Sequence, residues 1–179
     1  MKPADILMQF DTYLTGRGLR LEGIAIGGAA LALLGIITRE TRDCDLLDPE
    51  LSPQMTEAAI AFAREVRARG ELLRDDWLNN GPRSLARLLP EGWRSRIQPI
   101  FQGKSIHLWC LGRPEFLLSK LFALCDRGMD LGDCLALAPS PEELTQAQPW
   151  LEAQDLNPEW PSHVRATLLD LARRLHHGL

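Results

Sequence analysis

The chain has 179 residues, 45% hydrophobic and 25% charged, with a net charge of −4 and a pI near 5.6. This is enough for one domain, or one domain with a small helical appendage, built around an ordinary core. The acidic balance excludes a protein that grips nucleic acid through bulk positive charge, although arginines cluster at 64–74, 83–96 and 173–174. In chain order, residues 3–17 place Ile6, Leu7, Phe10, Tyr13 and Leu14 at helical spacing. "LRLEGIAIGG" reads as a strand running into two glycines, "AALALLGII" (29–37) as a short buried helix, and "RDCDLLD" as a strand. "SPQMTEAAIAFAREVRARG" is the clearest helix, with Ser52 as N-cap, Pro53 in the first turn and Gly70 as the stop.

"ELLRDDWLNNGPRSLARLLPEGWRSR" mixes a strand or loop with a short helix, and "RIQPIFQGKSIHLWCL" is a hairpin turning at Gln102-Gly103-Lys104. "RPEFLLSKLFALCDRG" is a helix with Pro114 near its start, followed by a short one over "DLGDCLALA". Ser140 and Glu143 form a capping box for the next helix, and a last helix fills 162–177. The order predicts an α+β fold with a helical C-terminal end.

Cys44, Cys110, Cys125 and Cys134 form no C-x-x-C pair, so they are expected to be buried reduced thiols of a cytoplasmic protein. His107, His163, His176 and His177 make no zinc signature. "MKPADILMQFDTYL" carries acids within its apolar stretch, so no signal peptide is expected, and no apolar run is long enough to span a bilayer.

The stretch that carries chemistry is "IAIGGAALALLGIITRETRDCDLLDP". On a strand, alternate side chains share a face roughly 6–7 Å apart, so Asp43 and Asp45 would point together while Cys44 enters the core. Two converging carboxylates repel unless a cation lies between them; magnesium suits, taking one or two carboxylates along with phosphate oxygens and water. Gly27 and Gly28, at a strand-to-helix turn, would let backbone amides approach a phosphate. Each motif alone is more often structural; their pairing across one helix is what signals phosphoryl or nucleotidyl transfer.

"GGAALALLGIITRETRDCDL" resembles the nucleotidyltransferase superfamily with the polymerase-beta-like fold, and within it the small bacterial members related to abortive-infection toxins. Gly27, Gly28, Thr41, Asp43 and Asp45 match the first block of that pattern; Lys120, Arg127, Asp130 and Asp133 in "FLLSKLFALCDRGMDLGDCLAL" match a second. The resemblance implies a mixed β-sheet flanked by helices over residues 1–137, with 138–179 as a helical extension packed on it. It implies an enzyme that moves a nucleoside monophosphate from an NTP to a hydroxyl of RNA, such as tRNA, or of protein. Gly27 and Gly28 would hold the triphosphate, with Thr41 beside them, and Asp43 and Asp45 would coordinate Mg2+. Lys120 would reach a phosphate, while Asp130 and Asp133 would complete the pocket or brace Arg127. A toxin-like role would bring an antitoxin or other partner protein; no membrane partner is implied.

Active members of the superfamily use a third carboxylate on a later strand, and "SIHLWCLG" offers none; Asp75, Asp76 and Asp130 are the candidates. A catalytically degenerate nucleotide-binding or protein-interaction module of the same fold is therefore the alternative. Other residues keep two readings each. Lys120 is either a surface lysine or a cation with an anionic partner, and Glu40 either adds a negative charge close to the Asp43–Asp45 pair or pairs with Arg39 or Arg42 in a solvated turn. Trp77, Asn79 and Asn80 contact a base or pack in the core, and Arg83, Arg87, Arg94 and Arg96 form a rim for RNA phosphates or a solvated face.

Overall fold

A computed structural model describes residues 2–38, 41 and 43–176. The Glu40 turn with Arg39 and Arg42 lies outside the described residues, as does His177. The chain divides into two compact units, Met1–Gly112 and Arg113–Leu179.

The first unit opens with α1 (Pro3–Thr15), whose apolar stripe is buried at Ile6, Leu7, Phe10 and Leu14. Then follow β1 (Leu21–Ile26), α2 (Gly27–Leu33), β2 (Cys44–Asp48) and α3 (Pro53–Ala68). Helix α2 is shorter than the sequence suggests. Gly35 adopts φ +73° and turns the chain out of the helix, so 35–37 are not helical. Helix α3 is capped as expected: Met55 N donates to Ser52 Oγ at 3.1 Å, and Gly70 takes φ +88° just past its end.

The ambiguous stretch that follows resolves into a two-residue strand, β3 (Leu78–Asn79), and two 3₁₀ turns, Arg83–Arg87 and Trp93–Arg96. The hairpin is present as β4 (Gln98–Gln102) and β5 (Ile106–Cys110), closed by Gly103 N donating to Ile106 O at 2.7 Å. The strands form one mixed sheet in the order β3-β2-β1-β5-β4. β1 is antiparallel to β2 and parallel to β5, β3 runs parallel to β2, and β4 antiparallel to β5. Leu46 and Leu47 point to opposite faces of β2 and are both fully buried, which means this strand is covered on both sides. One core cluster joins α1, α3 and the segment before β3: Phe10 meets Phe62 at 5.0 Å and the Trp77 ring edge at 5.1 Å. Trp77 also donates from Nε1 to Ala59 O at 3.1 Å, so its one polar atom is satisfied in the core.

Asp11 ties α1 to the hairpin. Its carboxylate accepts the backbone N–H groups of Lys104 (3.0 Å), Ser105 (2.8 Å) and Ile106 (2.8 Å). A Cβ on Gly103 would collide with that carboxylate, so the turn needs glycine for space.

The second unit is helical: α4 (Arg113–Arg127), α5 (Leu131–Leu137), α6 (Pro141–Glu152) and α7 (Trp160–Arg174). Gly128, at φ +65°, separates α4 from α5. The capping box at Ser140 and Glu143 is formed in both directions. Trp160 Nε1 donates to Leu151 O at 2.8 Å, pinning α7 to α6. All four cysteines are free and buried. Among the described residues no helix is long and apolar enough to cross a membrane.

Candidate active site

The strand register assembles the first half of the site. Pairing of Ile26 with Asp45 sets that carboxylate beside the residue that leaves β1, which is Gly27. Gly27 has φ +75°, a conformation L side chains adopt at a cost of about 1–2 kcal/mol. It is also tight against the acid: a Cβ there would stand 2.7 Å from Asp45 Oδ2. Two independent causes therefore demand glycine at 27. The spacing of glycine and acid seen in the sequence becomes closeness in space, the half-buried carboxylate of Asp45 occupying the room a side chain at the partly exposed Gly27 would need.

The other oxygen of Asp45 is held from β3. Parallel pairing sets Asn79 opposite Asp45, and Asn79 Nδ2 donates to Asp45 Oδ1 at 3.0 Å. The sequence reading missed this contact, because a two-residue strand is too short to show alternation and the register that aligns it is tertiary. Between the acids, Cys44 is buried; desolvation, then the charge of Asp45, pushes its thiol up to about 12.

Asp43 lies one residue before β2, outside the ladder that orients Asp45. It is half-buried and borders a cavity of about 10 Å³ lined also by Ile6, Leu7, Ala29 and Trp77. Its Oδ1 is buried with no hydrogen-bond partner among the described residues, an orphaned carboxylate oxygen of the kind that a water or cation satisfies. Thr41 Oγ1 donates to the carbonyl of Asp43 at 3.4 Å, so this threonine braces the backbone of the D-x-D segment. Among the described residues no set of three or more His, Cys, Asp or Glu side chains is grouped to hold a metal. In kind, the carboxylates of Asp43 and Asp45 are the oxygen donors that a hard cation takes alongside phosphate and water oxygens.

Other candidates are committed elsewhere. Asp75 pairs with Arg67 at 2.6 Å and Asp76 with Arg74 at 2.5 Å, both exposed. Trp77 is core, and Asn80 is structural: it donates to Leu46 O (2.9 Å) and Pro49 O (3.0 Å) and accepts from Leu51 N (2.7 Å). Arg83 pairs with Glu50, and Arg94 pairs with Asp48 at 3.2 Å while stacking over Trp93.

In the second unit, Lys120 on α4 is buried and reaches Asp133 (2.8 Å) and Asp130 (3.0 Å) on the far side of the Gly128 turn. The surface reading of Lys120 is thereby replaced by the anionic-partner reading. Asp130 caps α5 from a left-handed conformation, φ +67°, which aspartate tolerates better than most residues. Arg127 is exposed and pairs with its neighbour Asp126 at 3.5 Å.

A mixed sheet in which a strand, a glycine bend and a short helix lead to an acid-bearing antiparallel strand defines a nucleotidyltransferase-type fold. Residues 5–136 match the family described as nucleotidyltransferase of unknown function (DUF6036), and the chain belongs to that family. No curated protein and no solved structure matches it.

Proposed function

We propose that the chain transfers a nucleoside monophosphate from an NTP to a hydroxyl of RNA or protein. The acceptor hydroxyl attacks the α-phosphorus, a P–O bond forms and pyrophosphate leaves. Asp43 and Asp45 are the residues that would hold a divalent cation, Mg2+ by preference for oxygen donors. When bound, that ion neutralises phosphate charge and orients the transferred group. The backbone amides at Gly27 and Gly28 would face the triphosphate, and Thr41 would keep Asp43 in place. Roles for Lys120, Asp130 and Arg127 toward a phosphate rest on the resemblance alone, as does a toxin-like role with a cognate antitoxin.

The observation that carries the reading is the closeness of the Asp45 carboxylate to Gly27, which leaves no room for a Cβ there and puts an acid beside the bend proposed for phosphate. Incubation with labelled NTPs, Mg2+ and total RNA or cell extract is expected to label a macromolecule. Asp43→Ala and Asp45→Ala should each abolish labelling while the protein stays folded. Labelling that persists in both variants refutes the assignment. A second reading, nucleotide binding without transfer, is favoured by the engagement of Asp75 and Asp76 with arginines, which leaves the third acid unassigned. It predicts that MgATP raises the unfolding temperature of wild type but not of Asp43→Ala, with no label transferred.

A further inference from the structure

We propose that Asn79 is a positioning residue for Asp45, its neutral N–H donor fixing that carboxylate without neutralising it. The proposal rests on the reading of Asp45 as a cation ligand given above. Both ends of the Asn79 amide are spoken for. Nδ2 donates to Asp45 Oδ1 (3.0 Å) and to Asp76 O (3.3 Å), while Oδ1 accepts from Gly81 N (2.7 Å). Turning the amide over would set oxygen against carboxylate and NH₂ against an N–H donor, so only one orientation satisfies every group.

The backbone that carries this amide is anchored on both sides. Two residues earlier, Trp77 is locked in the core by its ring, and its carbonyl accepts from Cys44 N at 2.5 Å. One residue later, the side chain of Asn80 is tied to Leu46, Pro49 and Leu51. A β3 of two residues does little for the sheet as a ladder; what it does is set Asn79 beside Asp45 at a fixed register. Asp45 is then held at Oδ1 by the amide, while its Oδ2 fills the space that a Cβ on Gly27 would need. The choice of amide matters chemically. A lysine or arginine in this position would bring a positive charge that competes with a cation, whereas a neutral donor fixes the carboxylate without itself neutralising it.

The test uses Mn2+ alone, without nucleotide, read by thermal unfolding of the full chain over an ion titration. Wild type is expected to gain stability with Mn2+. Asn79→Ala should weaken the apparent Mn2+ affinity by about 10–100-fold, the range for loss of a residue that orients a metal ligand. Asn79→Asp keeps the acceptor for Gly81 N but sets a second carboxylate against Asp45. It should unfold at lower temperature without the ion and show a larger Mn2+-induced rise than wild type. Asn80→Ala is the control for plain structural damage, with a lower unfolding temperature and a Mn2+ response like that of wild type. Asn79 variants that lose stability with an unchanged Mn2+ response, as Asn80→Ala does, overturn the proposal. A wild type indifferent to Mn2+ instead removes the cation-ligand reading of Asp45 beneath it.

Discussion

Replacing Gly27 by alanine isolates the contact on which the site is built. Two costs add at this position. The left-handed backbone, φ +75°, costs an L residue about 1–2 kcal/mol. The new methyl would also lie 2.7 Å from Asp45 Oδ2, so the carboxylate has to swing away and give up its 3.0 Å bond to Asn79. A hydrogen bond to a charged group is worth about 1.5–3 kcal/mol, which brings the total to about 2.5–5 kcal/mol. The chain supplies its own control. Gly35 has nearly the same φ, +73°, but a Cβ there meets nothing within 4 Å. Gly35→Ala should therefore cost only the backbone part, about 1–2 kcal/mol. Urea unfolding of both variants reads the difference. In an Asp45→Ala background the cost of Gly27→Ala should fall to that of Gly35→Ala, because its collision partner is gone. Equal costs for the two glycines in the wild-type background would mean that Asp45 does not rest on the bend, and the argument for a cation-and-phosphate site would lose its footing.

The Asp11 clamp predicts acid sensitivity. Burial by itself raises this carboxyl, but the N–H groups of Ser105, Lys104 and Ile106 outweigh it and hold the group below 3.8. The folded value being the lower one, the stabilisation is complete above the unfolded value and is lost as pH falls through the folded one. The stability gap between wild type and Asp11→Asn, measured by urea unfolding, should thus be constant near neutrality and shrink below about pH 4. Lys120→Met removes the cation shared by Asp130 and Asp133 and should cost about 3–5 kcal/mol by the same measurement, whereas pairing it with Asp133→Leu should recover part of the loss. The buried thiols should resist alkylation at pH 8 until the protein unfolds. Burial, the largest cause for each, pushes Cys44 and Cys134 up to about 12 and Cys110 and Cys125 to about 11, and mass spectrometry counts the adducts.

What could be read from the sequence was what local chemistry dictates. Ser52 and Ser140 announce their helices because a hydroxyl that satisfies free N–H groups is a local device, and both caps form. The Gln102–Lys104 turn and the strand before Gly27 follow from residue type in the same way. Segment 71–96 was harder to read because tertiary contacts shape it. Trp77 is held by α1 and α3, and Asn80 by carbonyls on and after β2; neither leaves a periodic trace. Asp43 shows where a local rule stops. Alternation aligns side chains within a strand, and β2 begins only at Cys44, so the sheet orients Asp45 and leaves Asp43 to the loop before it.

The polarity of β2 also separates two ideas that the sequence ran together. Asp45 lies near the strand's start, at the Gly27 bend, whereas Asp48 ends it and pairs with Arg94. Three residues of extended chain set these points about 10 Å apart. Arg83, paired with Glu50, belongs to the same far end. Of the four arginines offered as a rim for RNA phosphates, Arg83 and Arg94 are thus balanced by carboxylates there, and Arg94 is further held over Trp93. The guanidiniums of Arg83 and Arg94 are engaged at the other end of the strand from Asp45. On this geometry the groups beside Asp45 are those at the start of β2: Asn79, which donates to its Oδ1 at 3.0 Å, and the glycine bend, where Oδ2 leaves no room for a Cβ.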